Sequence, residues 1–293
     1  MGQGLFVGLT TLDCLYLTTH FPQSNEKIVA IDQLLTVGGP ATNAAITFAH
    51  FGHQSSLMSV VGNHSLTTMI HQTLKDYGVK GLDLAPTFSA SPAVSSIIIT
   101  QGTGERAVVS INATKLQANL DDLNFNLIDL LEQIDLVLID GHQMLISAAI
   151  AEQAQKQNIP VVLDGGSWKP GLETVLPYVD YGICSANFYP PTCQNSEQVC
   201  RYLQTYKIPH FAITQGAKPI IYHSFGQRGE IPVPTIKAVD TLGAGDIFHG
   251  AFCHYLLDNH LDEHSFPKSL SQAVRIAQLS CQYFGPHQWM KDQ

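Results

Sequence analysis

The sequence has few charged residues, and the basic ones are the scarcer. Charged side chains make up 13% of the 293 residues, and 15 Lys and Arg stand against 24 Asp and Glu, for a net charge of −9. No run of Lys or Arg occurs. Binding to nucleic acid or to an anionic membrane needs a basic face, so the composition argues against both. It does not exclude a phosphorylated ligand, because backbone amides can bind phosphate.

Long hydrophobic runs are also missing. No stretch reaches the about 18 uninterrupted apolar residues of a membrane span, and residues 1–8 lack the basic start of a signal peptide. The six cysteines include no Cys-x-x-Cys pair, which favours a reduced, cytoplasmic protein over a disulfide scaffold. Hydrophobic residues nevertheless make up 45% of the chain, so we expect a folded protein with a sizeable core.

Short apolar segments alternate with amphipathic ones along most of the chain. The predicted strands are Leu5–Gly8, Ser56–Val61, Leu136–Asp140, Pro160–Asp164, Tyr181–Cys184 and Phe211–Thr214. The predicted helices are Ala41–Phe51, Leu66–Tyr77, Leu145–Gln157 and Glu197–Tyr206. This alternation predicts an α/β fold with a doubly wound, mainly parallel sheet flanked by helices. No low-complexity linker interrupts it, so we expect a single domain over residues 1–293.

Two regions break the alternation and predict a small β-sheet. Leu12–Thr19 with Ile28–Val37, and Val94–Thr100 with Val108–Asn112, are strand-like pairs with no helix between them. We expect them to form a lid, inserted at about residues 12–37 and 94–112, over a site on the α/β body. Exposed lid edges would favour a homodimer that pairs the two lids.

The segment from residue 239 to residue 250 carries the strongest chemical signal. Gly243, Ala244 and Gly245 open a helical stretch, and residues without bulky side chains leave amide N–H groups free to bind an anion. Asp246 follows in the first turn, where a carboxylate could accept a proton from a hydroxyl group. A base beside an anion site suits phosphoryl transfer to an alcohol. The alternative is a glycine-rich helix start that Asp246 merely caps.

A second segment, residues 37–46, contains Gly38 and Gly39 before a predicted helix. The glycines permit close approach of the backbone, and Asn43 would project from the first helical turn. An asparagine can bridge two hydroxyl groups as donor and acceptor. Alone, this segment could equally be an ordinary strand–helix turn.

Together the two segments resemble the ribokinase-like PfkB family of carbohydrate and nucleoside kinases, over essentially the whole chain. The resemblance implies that Asp246 is the general base and that Gly243, Ala244 and Gly245 form the anion hole. It also implies a sugar or polyol substrate. The residues implied to contact that substrate are Asp13 at the end of an N-terminal strand from Gly8, Gly38, Gly39 and Asn43.

The same resemblance implies a nucleotide side with ATP and Mg²⁺. Asn187, Thr214 and Gly216 match nucleotide-contacting positions, and Asp240 stands where the family often holds a monovalent cation such as K⁺. Arg106 could contact the substrate from the lid or equally make a surface ion pair.

Two positions depart from the family pattern. Pro190 stands where the family commonly has Glu after Asn187, so Mg²⁺ would be held mainly by ATP oxygens and water. Several motifs are similar to the ketohexokinase and sulfofructose kinase branch, but His142 stands where the latter is expected to have a sulfonate-binding Arg. A nucleoside kinase and a nucleotide-binding regulatory protein without turnover remain the alternatives.

Overall fold

The structure is a computed structural model that describes residues 1–111, 113, 116–123, 125–259 and 265–292. Its strands are β1 (Gln3–Val7), β2 (Thr11–Thr18), β3 (Asp32–Gly38), β4 (Gln54–Ser59), β5 (Val79–Asp83), β6 (Val94–Thr100), β7 (Arg106–Val109), β8 (Leu136–Ile139), β9 (Val161–Gly165), β10 (Tyr181–Ser185), β11 (His210–Gln215), β12 (Lys218–Ser224) and β13 (Gln227–Ile231). Its α-helices are α1 (Pro40–His50), α2 (Thr67–Asp76), α3 (Leu127–Leu131), α4 (Met144–Lys156), α5 (Ser196–Thr205), α6 (Ala244–Asp258) and α7 (Ser265–Ser280).

The central sheet has the order β13-β12-β11-β10-β9-β8-β1-β4-β5. Within this sheet, the seven neighbouring strands β11, β10, β9, β8, β1, β4 and β5 are parallel, whereas β12 and β13 add an antiparallel edge. Helices α1, α6 and α7 pack on one face, and α4 and α5 pack on the other. Strands β8 and β9 are therefore buried on both faces, which explains their continuous apolar sequences. The predicted doubly wound fold is confirmed.

The lid is a four-stranded sheet of order β3-β2-β6-β7. Both predicted strand pairs are antiparallel, and β2 joins them through parallel pairing with β6. Strand β7 ends at Val109, and Asn112, the predicted end of the lid, lies outside the described residues. The expectation that Asp13 ends the first strand was wrong. Strand β1 ends at Val7, and Asp13 lies inside β2, because the chain leaves the central sheet before it enters the lid.

A close helix crossing determines where the site lies. Helix α1 packs against α6, and a Cβ atom at Gly250 would lie only 2.4 Å from the carbonyl oxygen of Ala44. No side chain fits there, so the glycine lets the backbones of the two helices approach closely. The first turns of both helices thereby meet above the carboxyl ends of the parallel strands, which is where open α/β sheets bind ligands. Within the described part of the chain, no helix has both the length and the apolar character needed to cross a bilayer.

Candidate active site

Helix α6 begins with an open approach to its backbone. Gly243 has a φ of 71°, a left-handed conformation that favours glycine, and the helix starts at the next residue. A Cβ atom at Gly245 would meet no atom within 4 Å, so the space beside the first turn is open. The free N–H groups of a helix start attract anions. The amide of Ala244 already donates a long hydrogen bond of 3.4 Å to the carbonyl oxygen of Thr241. The helix start thus offers room for an anion, and the role of the three amides as an anion hole stays a prediction.

Asp246 lies partly buried in the first turn of α6, and one of its oxygens is held from α1. Asn43 donates a hydrogen bond of 2.8 Å from Nδ2 to Oδ2 of Asp246. Burial raises the pKa of Asp246 to about 7, and the negative charge of Asp164 adds to this, although Asn43 and His249 oppose it. A carboxyl group that exchanges its proton near neutral pH is suited to general base catalysis.

Behind Asn43 lies a buried hydrogen-bond chain. His287 Nε2 is 2.9 Å from Asn43 Oδ1, and His287 Nδ1 is 3.3 Å from the hydroxyl of Thr36 on β3. An amide oxygen only accepts, so His287 donates from Nε2 and accepts from Thr36 at Nδ1. Sequence reasoning missed His287 and Thr36, because nothing local relates residues that are 251 positions apart.

Asp13 and the glycine pair lie on the lid side of the site. Asp13 is buried, accepts a 2.6 Å hydrogen bond from the hydroxyl of Thr11, and has its pKa raised by burial. A Cβ atom at Gly38 would lie 1.9 Å from Asp13 Oδ2, so this glycine makes room for the carboxylate. Gly39 has a φ of 102° and leads into α1. Strand pairing sets Asp13 opposite Thr36, next to the hydrogen-bond chain of Asn43.

Asp140 ties these segments together at the point where the strand order reverses. Its Oδ2 accepts hydrogen bonds from the backbone N–H groups of Leu9, after β1, and Ala41, at the start of α1. His142 donates to Oδ1 from its backbone and from its ring. Burial opposes the charge, but His142, Lys169 and the backbone donors outweigh it and lower the pKa of Asp140 to about 2.

A second buried pair lies beneath the first turn of α6. His249 Nδ1 is 2.7 Å from the carbonyl oxygen of Gly245 and 3.3 Å from Oδ2 of Asp164, which lies in β9. Burial raises the pKa of Asp164, and His249 opposes that rise. Among the described residues, Asp164 Oδ2 and His142 Nε2 are buried side-chain atoms without a hydrogen bond. The 3.3 Å approach of His249 Nδ1 to Asp164 therefore lacks hydrogen-bond geometry.

The predicted nucleotide residues lie at or just after the ends of two neighbouring strands. Thr214 lies in β11 and pairs in register with Ser185 of β10, after which Asn187 is exposed. Gly216 has a φ of 62°, and a Cβ atom there would meet no atom within 4 Å. The ends of these two strands thus form an exposed surface with room for a nucleotide. Their contact with ATP stays a prediction.

Arg106 and Asp240 make contacts that the sequence did not predict. Arg106 donates from Nη1 to the carbonyl oxygen of Thr241 at 3.1 Å and to its hydroxyl at 2.7 Å, which ties β7 of the lid to the segment before α6. Its expected substrate contact stays a prediction. Asp240 accepts backbone hydrogen bonds from Leu242 at 2.8 Å and Gly285 at 2.9 Å. Both of its carboxylate oxygens are thus engaged, and a K⁺ site beside them stays a prediction.

The described residues include no group of three or more His, Cys, Asp or Glu arranged to hold a metal ion. The proline at position 190 offers no ligand either. That Mg²⁺ is held mainly by ATP oxygens and water stays a prediction, based on the tendency of Mg²⁺ to keep several waters and to bind through substrate phosphates.

A carboxyl group with a pKa near neutrality beside an open helix start, next to a β lid, is what a small-molecule phosphotransferase that acts on a hydroxyl group needs. The chain belongs to the pfkB family carbohydrate kinases, whose family model matches residues 3–292. It is therefore a carbohydrate kinase that uses ATP with Mg²⁺.

The chain is similar to proteins named ribokinase. The ribokinase of Bacillus subtilis is 25% identical over 290 residues, which cover 95% of this chain and 92% of the relative. The ribokinase of Giardia lamblia has the same fold, with a TM-score of 0.79, 17% identity and coverage of 100% of this chain and 98% of the other. The ribokinase of Arabidopsis thaliana, solved with ribose and ATP, has a TM-score of 0.72 and 19% identity, with coverage of 97% of this chain and 93% of the other. The finer resemblance to the ketohexokinase and sulfofructose kinase branch is not confirmed.

Proposed function

We propose that the protein transfers the γ-phosphoryl group of ATP to a primary hydroxyl of a neutral sugar. Asp246 is the general base, and the amides of Gly243, Ala244 and Gly245 form the anion hole. One observation carries the proposal: a carboxyl group with a pKa of about 7 sits beside the open first turn of α6. A regulatory protein that only binds nucleotide would have no use for that base.

The geometry supports a division of labour at Asp246. Asn43 engages Oδ2, so we assign Oδ1 to the hydroxyl proton of the sugar. As the hydroxyl oxygen of the sugar attacks the γ-phosphorus, its proton passes to Oδ1 of Asp246 and ADP leaves. The amides at the helix start stabilise the negative charge on the phosphoryl group during its transfer. Mg²⁺, when bound, neutralises phosphate charge. Closure of the lid excludes water, which would otherwise compete as the acceptor.

The charges of the site support a neutral acceptor. Asp164 and Asp140 lie close enough to Asp246 to raise its pKa, and Asp13 is buried on the lid side. An anionic sugar would be repelled by these carboxylates. His142, rather than an arginine, stands where a sulfonate ligand would be expected in the sulfofructose kinase branch. Asp13 is the residue we assign to sugar hydroxyls, since buried hydroxyl groups need acceptors.

An ADP-release assay tests the proposal and separates the sugars. The panel contains ribose, 2-deoxyribose, fructose, a sulfonated hexose and adenosine, each with ATP and Mg²⁺. The names of the relatives support a pentose, whereas the ketohexokinase-like motifs support fructose. Turnover of a neutral sugar supports the proposal. Selective turnover of adenosine supports the nucleoside kinase instead, and absence of turnover with every compound supports a nucleotide-binding regulator.

We also propose a homodimer through the outer face of the lid. The strand register sets Leu35, Cys14, Ser96 and Val109 in one row across that face. Leu35 and Val109 are 42% and 74% exposed. Apolar side chains on an open sheet favour association. Sedimentation analysis should find a dimer that Val109→Lys weakens; a wild-type monomer at micromolar concentration would contradict the proposal.

A further inference from the structure

A buried chain of polar groups leads from the lid to Asp246. It runs from the hydroxyl of Thr36 through His287 and Asn43 to the carboxylate, over distances of 3.3, 2.9 and 2.8 Å. Thr36 is 7% exposed, and His287 and Asn43 are each 3% exposed. Water therefore has little access to these groups, and each must find its hydrogen-bond partner within the protein.

Every link of this chain has one direction. Asp246 Oδ2 accepts, so Asn43 must turn its NH₂ group towards it and its oxygen towards His287. That oxygen needs a donor, which only the Nε2–H tautomer of His287 provides. The tautomer in turn leaves Nδ1 as an acceptor for the hydroxyl of Thr36. Burial lowers the pKa of His287 to about 3, so the ring stays neutral at the pH where a kinase works.

Without His287, the amide of Asn43 loses what distinguishes its two ends. The side chain could then rotate by half a turn and set its oxygen against Asp246, where it would repel the ionised carboxylate. Three other titratable groups act on Asp246: Asp164 on β9, Asp140 after β8, and His249 on the same helix, α6. The ring of Tyr77 lies 5.0 Å from that of His287. None of these groups donates to Asn43 Oδ1, so none replaces His287.

We propose that His287 is a positioning residue for phosphoryl transfer: it fixes the side-chain amide of Asn43 so that Asn43 donates to Asp246 and keeps it available as the base. This rests on the proposed function, because it concerns the same general base. In this proposal His287 acts through Asn43 and makes no contact with either substrate. Thr36 supports it from the lid strand by holding the required tautomer.

The test follows kcat/KM for the sugar against pH in three variants. His287→Leu removes the donor and should move the acid limb of the profile up by about one pH unit, with about a tenfold loss at pH 6.5 that is largely regained at pH 9. His287→Gln can still donate to Asn43 and should restore the wild-type limb. Thr36→Val frees the tautomer and should move the limb in the same direction by less.

His254→Gln is the matched control. His254 is a partly buried histidine that, like the buried His287, has a side-chain partner, since its Nδ1 lies 2.7 Å from Nε2 of His53. It is outside the chain to Asp246. Its profile should match that of the wild type. If His287→Leu does not fold, Thr36→Val and His287→Gln still decide the question, because only the former should displace the limb.

Two results would overturn the inference. One is an unchanged acid limb in His287→Leu or, where that variant does not fold, in Thr36→Val. The other is a loss that is equal at all pH values and that His287→Gln shares. Failure of the proposed function looks different: Asp246→Asn would then retain turnover. An inactive Asp246→Asn with an unchanged limb in the His287 or Thr36 variants refutes the positioning role alone.

Discussion

Replacing Asp246 with asparagine should change activity and stability in opposite directions. The carboxylate is the proposed base, and its loss should lower kcat by about 10²–10⁴-fold, the usual range for a general base. The same carboxylate is costly to ionise in the fold, because burial and the charge of Asp164 raise its pKa from 3.8 to about 7. Asparagine keeps the shape, can still accept from Asn43, and carries no charge.

The stability gain can be worked out from the two pKa values. A group whose pKa is raised in the folded state loses stabilising effect as the pH rises towards the folded value. At 1.36 kcal/mol for each pKa unit, Asp246 lowers the free energy of unfolding by about 2 kcal/mol at pH 5, where the unfolded chain ionises this group and the folded protein keeps it protonated, and by about 4 kcal/mol at pH 8, where it is ionised in both states. Asp246→Asn should therefore be more stable than the wild type, and more so at pH 8.

Urea unfolding at pH 5 and pH 8, together with ADP release under saturating substrates, measures both effects. Asp129→Asn is the control, because Asp129 is exposed on α3, which leads into the amino end of β8, opposite the site. The wild-type kcat/KM should also fall tenfold for each pH unit below about 7. Turnover close to that of the wild type would refute Asp246 as the base. A gain in stability that is equal at both pH values would refute its raised pKa.

Three further changes test the surroundings of Asp246. Asp13→Ala should weaken sugar binding by about 1.5–3 kcal/mol, the size of a hydrogen bond to a charged group, and leave ATP binding intact; calorimetric titration of each ligand measures this, and equal losses would contradict the assignment. Gly245→Val should fold normally, because its Cβ atom meets no neighbour, yet lose turnover as the side chain fills the anion space; unchanged kinetics would remove the anion hole from the mechanism. Asp140→Asn should lower the free energy of unfolding by about 2 kcal/mol at pH 7, because the fold lowers the pKa of Asp140 to about 2. This difference from the wild type should vanish as the pH drops from about 4 to 2. A difference that persists at pH 2 would contradict the prediction.

Much of the fold follows from local pattern. Strands β8 and β9 could be recognised because a parallel strand covered on both faces has a continuous apolar run, here residues 136–139 and 161–163. The glycine-rich start of α6 could be recognised because Gly243 and Gly245 precede Asp246 along the chain. These features depend on neighbours in sequence, so a single sequence suffices to predict them.

The placement of Asp13 shows where local pattern is insufficient. The short Gly-Leu-Thr segment at residues 8–10 looks the same whether the chain continues its strand or leaves the central sheet for a second one. The choice depends on pairing between β2 and β6, which are separated by about eighty residues. Long-range pairing of this kind has no signature in either strand alone.

The sequence by itself determined the class of fold, the glycine-rich start of α6, and the carboxylate beside it. Tertiary structure decided the state of that carboxylate. Burial in the α1–α6 crossing and the charge of Asp164 raise the pKa of Asp246, and His287 and Thr36 reach it through Asn43 from distant segments. Desolvation and hydrogen-bond direction depend on which groups surround an atom in space, and residues far apart in sequence supply those groups.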